Sequence, residues 1–126
     1  MKMSGRSETQ AEILWYLMVE VIMFTFVALA HGGLLFTGHN DARAAMIEGA
    51  IAVVLAAALI TSFVSPAQTR MMALLTQGLA LLALVGGLIA IAMNVIARTT
   101  ANAAVYVIML ITVIFGLIVA QRGVTP

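Results

Sequence analysis

The stretch Ile13–Phe36, "ILWYLMVEVIMFTFVALAHGGLLF", runs for 24 residues with one carboxylate, Glu20, and one histidine, His31. A helix rises about 1.5 Å per residue, so about 20 mostly apolar residues cross a hydrocarbon core of roughly 30 Å. The stretch meets that length. Three further runs do the same or nearly so: Ala44–Val64, Met71–Ile96 and Ala103–Ala120. The expected fold is an all-α integral membrane domain over residues 1–126. Its four transmembrane helices, at about 13–36, 44–64, 71–96 and 103–120, form two antiparallel hairpins because the connections are short.

Composition agrees with that expectation. Hydrophobic residues make up 63% of the chain and charged residues 9%, with a mean hydropathy of +1.15. Soluble domains carry about a quarter charged residues. Too little chain remains outside the four runs to build a soluble domain, so any chemistry belongs within the helices or at their ends. The first dozen residues are polar, and the run behind them is too long for a signal-peptide core and lacks a small-residue cleavage site, so the first span is expected to be retained. The sequence has no cysteine, which excludes disulfides, thiolate metal sites and cysteine nucleophiles. A net charge of +1 points to no nucleic-acid partner.

Four spans place both termini and the middle loop on one side, with Lys2, Arg6, Arg70 and Arg122, and leave Arg43 and Arg98 on the other. The positive-inside rule then puts both termini in the cytoplasm, as for a bacterial-type inner membrane. Four against two is a modest bias, and dual topology stays open.

Local signals mark the helix starts. Ser7-Glu8-Thr9-Gln10 reads as a capping box, and Ser65-Pro66-Ala67-Gln68 repeats the pattern with Pro at the first helical position. A shift of 54 residues lays Gly32-Gly33-Leu34 over Gly86-Gly87-Leu88, Asn40 over Asn94 and Glu48 over Asn102, which suggests a duplicated hairpin as one reading. Gly32, Gly33, Gly49, Gly86 and Gly87 are taken as helix-packing positions, since in lipid close backbone approach through small residues drives association. His39, Asn40 and Asp41 are read as turn chemistry, with Asn40 or Asp41 capping the second helix.

The remaining intramembrane polar residues need a reason. An acidic residue near the centre of a span costs at least about 2.5 kcal/mol, so Glu20 is expected to face the bundle. Eleven residues turn a helix back to within about 20° of its starting direction, so Glu20 and His31 share a face, three turns apart. A hairpin centred near Asn40 brings Glu48 to the depth of His31, where the two can pair and share a proton. Gln77 on the third helix is level with Glu20, while Asn94 and Asn102 stand near the opposite surface. The candidate residues for proton or ion coupling are thus Glu20, His31 and Glu48, with Gln77 and Asn94 in support. Concentration in the first hairpin implies one site per chain or one at a homodimer interface.

No phosphate-binding glycine motif, His-Glu-x-x-His pair or Ser/His/Asp grouping occurs, and a conventional enzyme is not expected. No metal or cofactor is predicted; two-His haem ligation fails because His39 would lie about 12 Å beyond His31, which leaves a single-His haem site at His31 as a disfavoured alternative. "YLMVEVI", Tyr16–Ile22, is superficially similar to the first helix of small multidrug resistance transporters, and "TGHN", Thr37–Asn40, to a small subunit of multisubunit cation/proton antiporters. The aromatic pattern of the first family and the Pro-Gly continuation of the second are missing here, and the chain is assigned to neither. Two functional expectations stand. The leading one is a non-catalytic subunit or assembly factor of a larger bioenergetic or transport complex in the membrane. The alternative is a homo-oligomeric proton- or cation-coupled transporter using Glu20 with His31 and Glu48.

Overall fold

The computed structural model describes residues 2–35 and 40–122, with side chains from residue 8 onward. Among these residues the chain is helical and contains no strand. Four long helices, α1 (Lys2–His31), α2 (Ala42–Val64), α3 (Thr69–Ala92) and α4 (Thr100–Arg122), pack as a bundle, with one 3₁₀ turn at Pro66–Gln68 before α3. Their apolar segments are 24, 23, 27 and 23 residues long, each long enough to cross a membrane by length and composition.

Helix ends follow from local chemistry. α1 stops at His31, five residues short of Phe36, because Gly33 takes a left-handed conformation (φ 80°). The amide of Leu34 donates to Leu29 O at 3.0 Å and that of Gly33 to Ala30 O at 3.2 Å, which is the bonding of a Schellman cap. α3 ends the same way: Asn94 is left-handed (φ 61°), Val95 N donates to Ala90 O at 2.8 Å and Asn94 N to Ile91 O at 3.0 Å. Gly33 and Asn94 are therefore equivalent positions. The 54-residue shift instead sets Gly32-Gly33, in a turn, over Gly86-Gly87, inside α3.

At the helix starts, Asp41 is extended and its carboxylate accepts from Ala44 N at 3.1 Å, capping α2. Thr99 does likewise for α4, its hydroxyl accepting from Asn102 N at 3.1 Å. Ser7 does not begin a helix, since α1 runs continuously from Lys2. Ser65 makes no side-chain cap bond, although Pro66 does open the turn behind it. His39 and Gly38 lie outside the described residues.

The core is apolar and centred on Leu17, Phe24, Leu55, Leu84, Met109 and Val113, all fully buried. Of the glycines, Gly32 approaches Ala45, Gly49 approaches Ala28, and Gly87 lies against the Tyr106 ring. A Cβ on Gly86 would meet nothing within 4 Å. Large apolar side chains cover the outside, as a bilayer-facing surface requires; Trp15 on α1, 60% exposed, is one of them.

Candidate functional site

Two polar sites interrupt the core. The first sits where α1 ends and α2 and α4 begin. The Asp41 cap fixes the start of α2 and so places Glu48 two turns inside the bundle, while the Schellman cap leaves His31 as the last helical residue of α1. Asp41 N donates to His31 O at 2.8 Å and draws the two ends together. His31 Nδ1 then lies 2.7 Å from Glu48 Oε1, both side chains being buried. The second carboxyl oxygen, Oε2, accepts from the Tyr106 hydroxyl. The Tyr106 ring stacks beside the imidazole with centroids 6.3 Å apart and planes 23° apart.

The outer ring nitrogen, Nε2, faces Asn102 Oδ1 at 3.4 Å. Asn102 is oriented by its own amide, since Nδ2 donates to Ala97 O at 2.9 Å. Tyr106, Glu48 and His31 thus form one continuous hydrogen-bonded row, with Asn102 Oδ1 beside its outer end, and each carboxyl oxygen of Glu48 has a partner. The Glu48–His31 contact sets an acidic group against a basic one across a single hydrogen bond. Glu48 and His31 are metal-type ligands on one spot, but among the described residues no third joins them.

The second site lies deeper, where α1, α3 and α4 meet. Glu20 and Gln77 are each 0% exposed. Both aim at Gly116 of α4: a Cβ there would stand 2.6 Å from Glu20 Oε2, 2.9 Å from Gln77 Oε1 and 3.1 Å from Gln77 Nε2. Only glycine leaves room for the two side chains to converge on the α4 backbone. Neither group has a hydrogen-bond partner; both carboxyl oxygens of Glu20 and both polar atoms of Gln77 are unsatisfied. Buried polar atoms are almost always paired, so four orphans on one spot mark this as the least satisfied polar cluster among the described residues.

An apolar layer separates the two sites. Phe24 lies between Glu20 and His31 on α1, Leu84 between Gln77 and Gly87 on α3, and Met109 and Val113 between Tyr106 and Gly116 on α4. The sequence-derived residues therefore fall into two groups, His31 with Glu48 and Glu20 with Gln77. Asn94 joins neither; it is the exposed left-handed cap of α3, and the amide beside His31 is that of Asn102. Tyr106 and Gly116 escaped the sequence reading. Tyr106 had a signal: it lies four residues after Asn102, on the same helix face, inside an apolar run. Comparison with protein-family models, curated proteins and solved structures finds no match.

Proposed function

We propose that the chain is a small integral membrane protein in which Glu20 is the coupling site of a homo-oligomeric proton- or cation-coupled transporter. His31 and Glu48, with Tyr106 and Asn102, serve as a relay at one end. The observation that carries this reading is the Glu20 carboxyl itself: fully buried, crowded by Gln77 over Gly116, and without a partner. A carboxylate there has no donor to offset the loss of water, so a proton or small cation must accompany it. An acid retained at that cost, with no structural bond in return, fits a group that loads and unloads. The reading takes α1 with α2, and α3 with α4, as antiparallel hairpins, and places both termini on the cytoplasmic side of a bacterial-type inner membrane. Duplication at a 54-residue shift has no part in it.

A second reading is a non-catalytic subunit or assembly factor of a larger membrane complex. It draws on α3, where Gly78 and Gly86, eight residues apart, each have open space where a Cβ would stand. Two unfilled glycines on one helix suit a seam for another helix in lipid.

Liposomes holding purified protein and trapped pyranine test the first reading. An imposed Na⁺ or K⁺ gradient is expected to move protons through the wild type and not through Glu20→Gln, which keeps the shape of the side chain but has no titrating proton and trades one acceptor oxygen for an NH₂ donor. Glu20→Asp should keep part of the flux with a shifted pH profile. Equal flux in the wild type and Glu20→Gln removes Glu20 as the coupling group. Absence of flux from the well-folded protein, with co-purification of unrelated chains in stoichiometric amounts after gentle extraction, selects the subunit reading.

A further inference from the structure

A cavity of about 530 Å³ runs between α1 and α4, in the size range of small-molecule sites. Its sides are apolar, with Ile22, Phe26 and Ala30 on α1 and Val105 and Ile108 on α4. Ile22, Phe26 and Ile108 are more than half exposed on the bilayer-facing surface, so the groove opens sideways to lipid. The polar residues in its lining, His31, Asn102 and Tyr106, all lie at the end where α1 stops and α4 starts. From His31 to Ile22 is nine residues, about 13 Å of helix. Polarity therefore falls from the membrane edge inward, as it does along a lipid molecule lying in one leaflet.

The polar end has unused hydrogen-bonding capacity of a particular kind. Tyr106 is committed to Glu48, and so is His31 Nδ1. The Asn102 amide is fixed by its bond to Ala97 O, which turns Oδ1, an acceptor, toward His31 Nε2 at 3.4 Å. With a neutral ring donating from Nδ1, Nε2 is an acceptor facing an acceptor. With a protonated ring the Nε2–H bond to Asn102 is long. One Nδ2 hydrogen of Asn102 also has no partner in this arrangement. The matching head group donates to Nε2 and accepts from Nδ2 beside a neutral ring, and accepts from both beside a protonated one. A carboxyl group does this: as the acid, its O–H donates to Nε2 and its carbonyl accepts from Asn102 Nδ2; as the carboxylate, it accepts from both. An ester only accepts, so it fits one ring state alone.

We propose that the α1/α4 groove binds a long-chain fatty acid, with its carboxyl at His31 and Asn102 and its chain along Ala30, Phe26 and Ile22. The site is independent of whether Glu20 couples transport.

The test uses purified protein in lipid nanodiscs with palmitic acid carrying a mid-chain diazirine, followed by photolysis and peptide mapping. Labelling is expected to concentrate on residues 22–30 and 105–109. Excess palmitic acid should reduce it at least fivefold, while the same excess of methyl palmitate should not. Asn102→Leu should weaken labelling similarly, and Ala30→Phe, which fills the groove, should abolish it. Competition on the wild type needs no variant to fold. Labelling spread over the lipid-facing sides of α2 and α3, equal competition by the methyl ester, or crosslinks between two copies of the chain at this groove would each overturn the proposal.

Discussion

Glu48 and Glu20 both carry a carboxyl into the apolar bundle, one near the helix ends and the other near mid-span, and their surroundings differ atom by atom. Around Glu48, His31 and Tyr106 take one oxygen each, and the ring's far side meets Asn102. Around Glu20, neither oxygen is taken, and the neighbouring Gln77 is equally unserved. Burial alone therefore does not decide what an acid does in a membrane bundle. A satisfied acid ties three helices together, while an unsatisfied one carries its desolvation cost with no bond to offset it.

The comparison is broken or sharpened by stability measurements in detergent micelles. The largest effect belongs to the paired site. His31→Leu and Glu48→Leu should each cost about 3–5 kcal/mol, because the abandoned partner stays in a low dielectric, and the double variant should cost less than the two losses added. Additive losses would mean that the contact is not an energetic pair. Next comes Tyr106→Phe, which strips one oxygen of Glu48 of its donor and should cost about 1.5–3 kcal/mol, the range for hydrogen bonds to charged groups. An unchanged unfolding midpoint would remove Tyr106 from the row.

At the unpaired site, Gly116→Ala should cost about 1–3 kcal/mol by overpacking, since the methyl would press on Glu20 and Gln77 where no space is left. Adding Glu20→Ala together with Gln77→Ala should return most of that loss, since both side chains stand where the methyl would go; if it does not, the crowding at Gly116 has another source. The smallest effect is expected from Glu20→Leu combined with Gln77→Leu. Replacing unpartnered polar groups by apolar ones of similar size should leave stability within about 0.5 kcal/mol of wild type or raise it. A large loss there would show that Glu20 holds the fold together after all, and would erase the contrast with Glu48.

Much of this was legible in the sequence because depth and length are linear quantities. Counting residues from a turn near Asn40 put Glu48 beside His31, and counting from the other side put Gln77 level with Glu20. Rotation about the helix axis was not legible. α4 is apolar on nearly every side, so no apolar period reveals which face turns inward; Gly116 stayed hidden, and Tyr106 was marked only by its spacing from Asn102. The repeated Gly-Gly-Leu misled for a related reason. The same three residues end α1 through a left-handed Gly33 and pass unbroken through α3, where the stop falls to Asn94. The capping box at Ser7 was overridden by simple continuation, since Gly5 upstream costs only about 1 kcal/mol in a helix.

The outward position of Trp15 has a practical consequence. It is the sequence's one tryptophan, five residues from Glu20 and so about 7 to 8 Å along the axis, on a side of α1 that meets lipid rather than the core. Its emission is a native depth gauge: bromine atoms placed at successive positions along phospholipid tails should quench it most strongly at one level, fixing the immersion of α1 without any added label. Because the chain also lacks cysteine, a thiol introduced at any exposed position would be a unique address, and its reaction with impermeant reagents would report which end of that calibrated helix faces which compartment.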